Sequence, residues 1–380
     1  MVLEHAPLAS DTSAPPTATR APRSWGVDLG RALAAAAVVV IHASASGDAP
    51  VRPGAATLRE LASFAVPFFL ATSAVFAVRS ITATRSAWAV SRQRLTRLLL
   101  PYVTWTVIYL ALKAASAKLA DDPERIRRIV RDPGRLVFLG GASVQLYFLP
   151  MLAVGMLLVP LVDVLVRRLR YRTDAIGFAA LTVVPYWLLG WTGNGYDIAS
   201  ATGLRHLVDP NRTRAVDAVV RIALVAVVWA ARLLPYLGLA VLVRVYRLDR
   251  RCPRWLLAVS AGLLLAVELG FRPFQPHILR ELAVSFPLVL LCFALRSPSG
   301  EGRLVRAVSS VARHSFGIFL AHTAILQVVQ DVADRARPGY LDAITPGVVL
   351  VTAIPTFLLA WGAAVVIDRV APLRRFLVAG

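Results

Sequence analysis

The chain has 380 residues, 57% of them hydrophobic, and a formal net charge of +20; its mean hydropathy is +0.64. Charged residues make up only 17%, too few for a soluble domain of this length, and the apolar residues come in blocks that reach the ~20 needed to cross a ~30 Å hydrocarbon layer as a helix. These figures exclude a soluble fold. The basic residues cluster between the blocks, so membrane topology accounts for the charge and nucleic acid is not an expected partner.

Residues 1–24 are rich in Ala, Pro, Ser and Thr and are expected to form a disordered cytoplasmic tail. Candidate spans follow at about 29–46, 60–78, 98–117, 145–166, 175–191, 221–243, 255–271, 278–295, 315–330 and 347–367. The expected fold is therefore all-α: a polytopic transmembrane helical bundle of about ten spans, with a membrane domain over 25–370 and a short cytoplasmic tail over 371–380. Arginine-rich loops (Arg79 to Arg97, Arg167 to Arg172, Arg244 to Arg254, Arg296 to Arg313) alternate with loops poorer in arginine or balanced by acids. The positive-inside rule places the rich set in the cytoplasm, and an even number of spans places both termini there too. The basic loop 118–144 departs from this alternation, and "PERIRRIVRDPGRLVFL" suits an amphipathic helix on the outer membrane surface. A second reading of the first span takes "HASASG" as a cleavage site, which would discard His42. The two cysteines, Cys252 and Cys292, are not expected to pair, and no metal-type Cys/His spacing occurs.

Chemistry-bearing residues lie inside this apolar frame. In "RALAAAAVVVIH", Arg31 and His42 are eleven residues apart, close to three helical turns, so both share one face. Arg31 would sit near the cytoplasmic edge, and His42 about 16 Å further along the axis, roughly halfway through the hydrocarbon. Asp28, three residues before Arg31, can pair with it. A neutral imidazole at that depth is either a packing residue or a general base. Arg94 and Arg97 lie on one helix face just before the third span and suit a phosphate-bearing ligand or simple membrane anchoring. Ser73 follows an aromatic pair in "AVPFFLATSAVF", Tyr147 and Phe148 open the fourth span, and "HSFGIFLAH" carries His314 and, two turns deeper, His322.

Taken in order, these elements resemble acyltransferase family 3, the integral membrane O-acyltransferases, and its surface-polysaccharide O-acetyltransferase branch in particular. The resemblance covers about residues 25–370. It rests on the Arg-(ten residues)-His pattern of Arg31 and His42, preceded by Asp28; on Phe68, Phe69 and Ser73; on the Arg-x-x-Arg of Arg94 and Arg97; on Leu146 to Leu149; and on "GIFLAH" ending at His322. The chain departs from the family pattern at Ala74, where a Gly is usual, at Tyr147 in place of Trp, and at Phe319 in place of Tyr.

The resemblance implies acyl-CoA, most often acetyl-CoA, as co-substrate with no bound cofactor or metal, and a hydroxyl as acceptor. His42 would be the general base, or would itself carry the acyl group. Arg31, Arg94 and Arg97 would hold the donor's phosphates; Asp28, Ser73, Tyr147 and His322 would support the pocket or face the acceptor. The expected partners are acyl-CoA, a glycan or lipid-linked sugar, and the bilayer of the plasma (inner) membrane. Acylation of a small natural product such as a macrolide is a second expectation. A transporter or flippase is the rival of another class, disfavoured because no paired halves with matching broken helices are visible.

Overall fold

The computed structural model describes residues 24–45, 49–119, 121, 122, 124, 127, 132–192, 215–270, 277–296 and 302–378. Among them no strand forms. In chain order the helices are α1 (Trp25–Ala43), α2 (Pro53–Ala62), α3 (Ala65–Arg79), α4 (Ala87–Leu119), α5 (Pro133–Phe138), α6 (Phe148–Val166), α7 (Arg172–Thr192), α8 (Ala215–Tyr246), α9 (Arg254–Glu268), α10 (His277–Ala294), α11 (Arg303–Ala336), α12 (Pro346–Arg369) and α13 (Ala371–Leu377). A 3-10 turn, Val144–Tyr147, leads into α6. The expected tail over 1–24 lies outside the described residues apart from Ser24, as do residues 123, 125, 126 and 128–131 of the basic segment expected on the outer surface. The described end of that segment, α5, buries none of its residues.

Each expected span coincides with helix, because a chain in lipid must saturate its backbone hydrogen bonds internally. Seven helical stretches among the described residues are long and apolar enough to cross a membrane. The expected spans at 175–191, 255–271 and 278–295 are the helices α7, α9 and α10, which are not among the seven. Fifteen-residue α9 reaches only ~22 Å at 1.5 Å per residue. The expected second span is not one continuous helix: it breaks at Ser63 and Phe64, between α2 and α3.

The centre of the bundle is α1, which packs on α3, α10, α11 and α12. Its sequence makes this close approach possible. Gly26 and Gly30 lie one turn apart, and a Cβ on Gly26 would fall 2.0 Å from the Cys292 carbonyl oxygen. A Cβ on Gly30 would fall 2.4 Å from Phe68 Cζ. In lipid, helices associate through such backbone contact rather than through the hydrophobic effect. The residues expected as a cytoplasmic tail form α13, which docks on α4, with Trp105 Nε1 donating to the Leu377 carbonyl at 3.0 Å.

Candidate active site

The eleven-residue spacing of Arg31 and His42 turns both side chains toward α11. Arg31 Nη2 donates to Ser315 Oγ at 3.0 Å. The His42 ring lies 5.0 Å, centroid to centroid, from His322, tilted by 42°. The helix starts at Trp25 and ends at Ala43, so His42 stands in its last turn. Asp28 is buried one turn before Arg31, and both residues are engaged by neighbours.

His322 is fully buried. Its Nδ1 lies 2.7 Å from the Phe319 carbonyl oxygen and 3.2 Å from that of Ile318. A carbonyl only accepts, so Nδ1 carries the proton and Nε2 carries the lone pair. That Nε2 is buried and has no hydrogen-bond partner. Beside it, Tyr109 of α4 reaches α11: its OH donates to the Leu320 carbonyl at 2.7 Å and lies 2.6 Å from Thr323 Oγ1.

Two cavities adjoin Arg31. The wider one, about 520 Å³, is lined by Arg31, Arg85, Arg94, Arg97 and Arg313, with no carboxylate among its lining residues. Five guanidinium groups converging without an acid form a strong anion site, and their planar forks suit phosphate. Arg94 is held there by Ser80 Oγ at 3.3 Å. The narrower cavity, about 200 Å³, shares Arg31, Ser73 and Arg94 with the first and is walled by Phe69, Phe148 and Phe319. From there the rings continue inward. Phe148 lies 5.0 Å from Phe319, Phe319 lies 6.0 Å from His322, and His322 adjoins His42. The arrangement is a basic bowl opening into an aromatic neck; the two imidazoles line neither cavity and lie behind the Phe319 ring.

The profile of the "Acyltransferase domain" family, acyltransferase 3, matches residues 24–365. The chain belongs to acyltransferase family 3. No curated protein and no solved structure matches it. Together with the apolar helices, this makes the chain a multi-pass membrane acyltransferase.

Of the residues singled out in this acyltransferase, Arg31, Arg94, Arg97 and Ser73 line the wider cavity, and His42 and His322 meet each other but line neither cavity. Tyr147 lines neither cavity; it lies within electrostatic reach of Arg232 and Glu281. Its neighbour Phe148 faces the neck instead. His314 is tied to its own helix and to α12, through the Ser310 carbonyl at 2.7 Å and Asp368 at 3.5 Å. Sequence reasoning missed Ser315, Arg85 and Arg313 as members of the site. Both arginines were counted only as topological charge, and Ser315 lacked any spacing signal to Arg31. Among the described residues, no three His, Cys, Asp or Glu gather to hold a metal ion.

Proposed function

We propose that this acyltransferase moves an acyl group, acetyl in the simplest case, from cytoplasmic acyl-CoA to a hydroxyl of a cell-surface glycan or lipid-linked sugar, and that it works in the plasma (inner) membrane. One observation carries the reading: the five-arginine cavity adjoins an aromatic pocket whose Phe319 ring packs on His322, the neighbour of His42. Coenzyme A has the matching shape, with a phosphate-rich head and a long, slim pantetheine arm ending in the thioester. The head sits among Arg31, Arg94 and Arg97, and the arm runs along the phenylalanines.

His42 then acts as general base. It takes the proton of the acceptor hydroxyl as that oxygen attacks the thioester carbonyl carbon. The C–O bond forms, the C–S bond breaks, and the imidazolium returns its proton to the departing CoA thiolate. Holding thioester and hydroxyl together also supplies much of the rate, by turning an encounter of two molecules into a step within one complex. With the arginine-rich loops in the cytoplasm, the last turn of α1 faces the outer half of the membrane. That position favours an acceptor arriving from outside over a cytoplasmic natural product.

The test is transfer of labelled acetyl from acetyl-CoA in membranes carrying wild type or His42→Ala at matched protein level, with the cell-envelope fraction as acceptor. Wild type labels glycan, and His42→Ala loses about 10²–10⁴-fold in rate. Equal transfer by both would remove His42 from the chemistry. Transfer by neither, with acetyl-CoA or longer acyl-CoAs, would remove the donor assignment.

A further inference from the structure

Resting on the reading above, we infer that His322 is the positioning residue of the reaction: its Nε2 accepts the N–H of His42 and thereby turns the other His42 nitrogen, as a lone pair, toward the acceptor hydroxyl. The argument starts from what His322 does not do. A buried histidine that served packing between helices would use its two nitrogens to bridge them. Here the Nδ1 hydrogen bond returns to the helix that carries the ring, at Phe319, so it ties α11 to nothing. The other nitrogen is buried and unsatisfied. Leaving such a group unmade costs about 1–3 kcal/mol, which a leucine at this place would avoid. The cost has a purpose if a donor arrives.

The donor at hand is His42, whose ring centroid is 5.0 Å away. Imidazole rings at that separation can turn one nitrogen each toward the other within hydrogen-bonding reach. Catalytic hydrogen bonds often tighten only when substrate is bound. The result is a line of fixed polarity: Phe319 carbonyl, His322 Nδ1–H, His322 Nε2, His42 N–H, and the free His42 lone pair. This is the logic of a base held in its working tautomer by a third group. The proton balance is simple. The hydroxyl proton moves to His42; the imidazolium so formed keeps donating to His322 Nε2, and its new proton leaves on the CoA sulfur. His322 gains and loses no proton over the cycle.

Three variants in detergent-purified full-length protein test this: His322→Leu, His322→Gln and the double variant His42→Ala with His322→Leu. Glutamine places an amide oxygen where Nε2 stood. His322→Leu should lower kcat about 10²-fold while leaving KM for acetyl-CoA within about twofold. His322→Gln should recover to within about 10-fold of wild type. The double variant should be no slower than His42→Ala alone, because a residue acting through another adds nothing once that other is gone. A His322→Leu enzyme with unchanged kcat overturns the inference, as does a double variant well below His42→Ala. A readout free of turnover separates this from failure of the donor assignment. In ¹⁵N-histidine-labelled protein, the His42 nitrogens should report one tautomer in wild type and His322→Gln, and a mixture in His322→Leu. An unchanged His42 spectrum in His322→Leu overturns the inference even if no acyl-CoA is ever accepted.

Discussion

Two polar pairs cross the apolar bundle, each with one fully buried member, and they are joined on opposite terms. Arg232 of α8, 1% exposed, meets Glu281 of α10. Its Nη2 donates to both carboxylate oxygens at 2.9 and 2.6 Å, and Tyr186 OH of α7 donates to the same carboxylate at 2.6 Å. The bonds knit three helices together. The pair of His42 and His322 joins α1 to α11 by ring proximity alone and leaves Nε2 open. In lipid, where no water is on hand, a pair joined by hydrogen bonds across three helices is scaffold, and one that no hydrogen bond joins is waiting for a ligand or a proton.

The sharpest way to break this comparison is to unpair the scaffold. Glu281→Leu strands the Arg232 charge among apolar helices. The expected loss is about 3–5 kcal/mol of stability, the usual cost of orphaning a buried ion. It is read as a lowered thermal midpoint of the detergent-purified protein. Replacing both partners, Arg232→Met with Glu281→Leu, should restore most of that midpoint and leave acetyl transfer close to wild type. If the double replacement melts normally but fails to transfer, the ion pair belongs to the chemistry and the contrast drawn above is wrong.

The helical bundle was legible because lipid leaves the backbone few choices: apolar blocks of span length become helices. The shared face of Arg31 and His42 was legible for a similar reason, since eleven residues close three turns wherever the helix runs. The pairing of His42 with His322 was not. It depends on how α1 and α11 are laid together, and helical period carries no information about neighbours. Gly26 and Gly30, at a four-residue spacing, mark a face for close packing, but that face meets α10 and α3 and not α11. Arg232 and Glu281 went unnoticed inside spans drawn for their apolar neighbours, although a charge within a span is itself a signal. The break at Ser63 and Phe64 did have a signal in Pro67, which has no N–H for the Ser63 carbonyl and whose ring clashes with it.

A smaller effect distinguishes the two ends of the cavity system. On the proposed reading the arginine bowl binds and the histidines react, so their variants should divide between KM and kcat. Arg94→Ala and Arg97→Ala should each raise KM for acetyl-CoA about 10-fold, the worth of a hydrogen bond to a charged group, with kcat changed far less. Lysine at either position keeps the charge without the fork and should recover only part of the loss. Initial rates over a range of acetyl-CoA concentrations decide it. A fall in kcat with constant KM at Arg94 would move that residue from the bowl to the reacting end.

The smallest expected effect lies where the two regions touch. Ser315 is buried, takes the Arg31 hydrogen bond at 3.0 Å and donates to the Ala312 carbonyl of its own helix at 2.9 Å. Ser315→Ala removes a guanidinium partner but no charge and almost no volume. Because the hydroxyl's own donor bond stays within α11, its loss frees no group on another helix, and the fold should hold. Arg31 then swings more freely at the junction of the two cavities, and KM for acetyl-CoA should rise about fivefold, near 1 kcal/mol. The thermal midpoint should stay within error of wild type. If instead the midpoint falls while KM is constant, the Arg31–Ser315 bond belongs with Arg232 and Glu281 as scaffold, and donor binding by Arg31 loses its support.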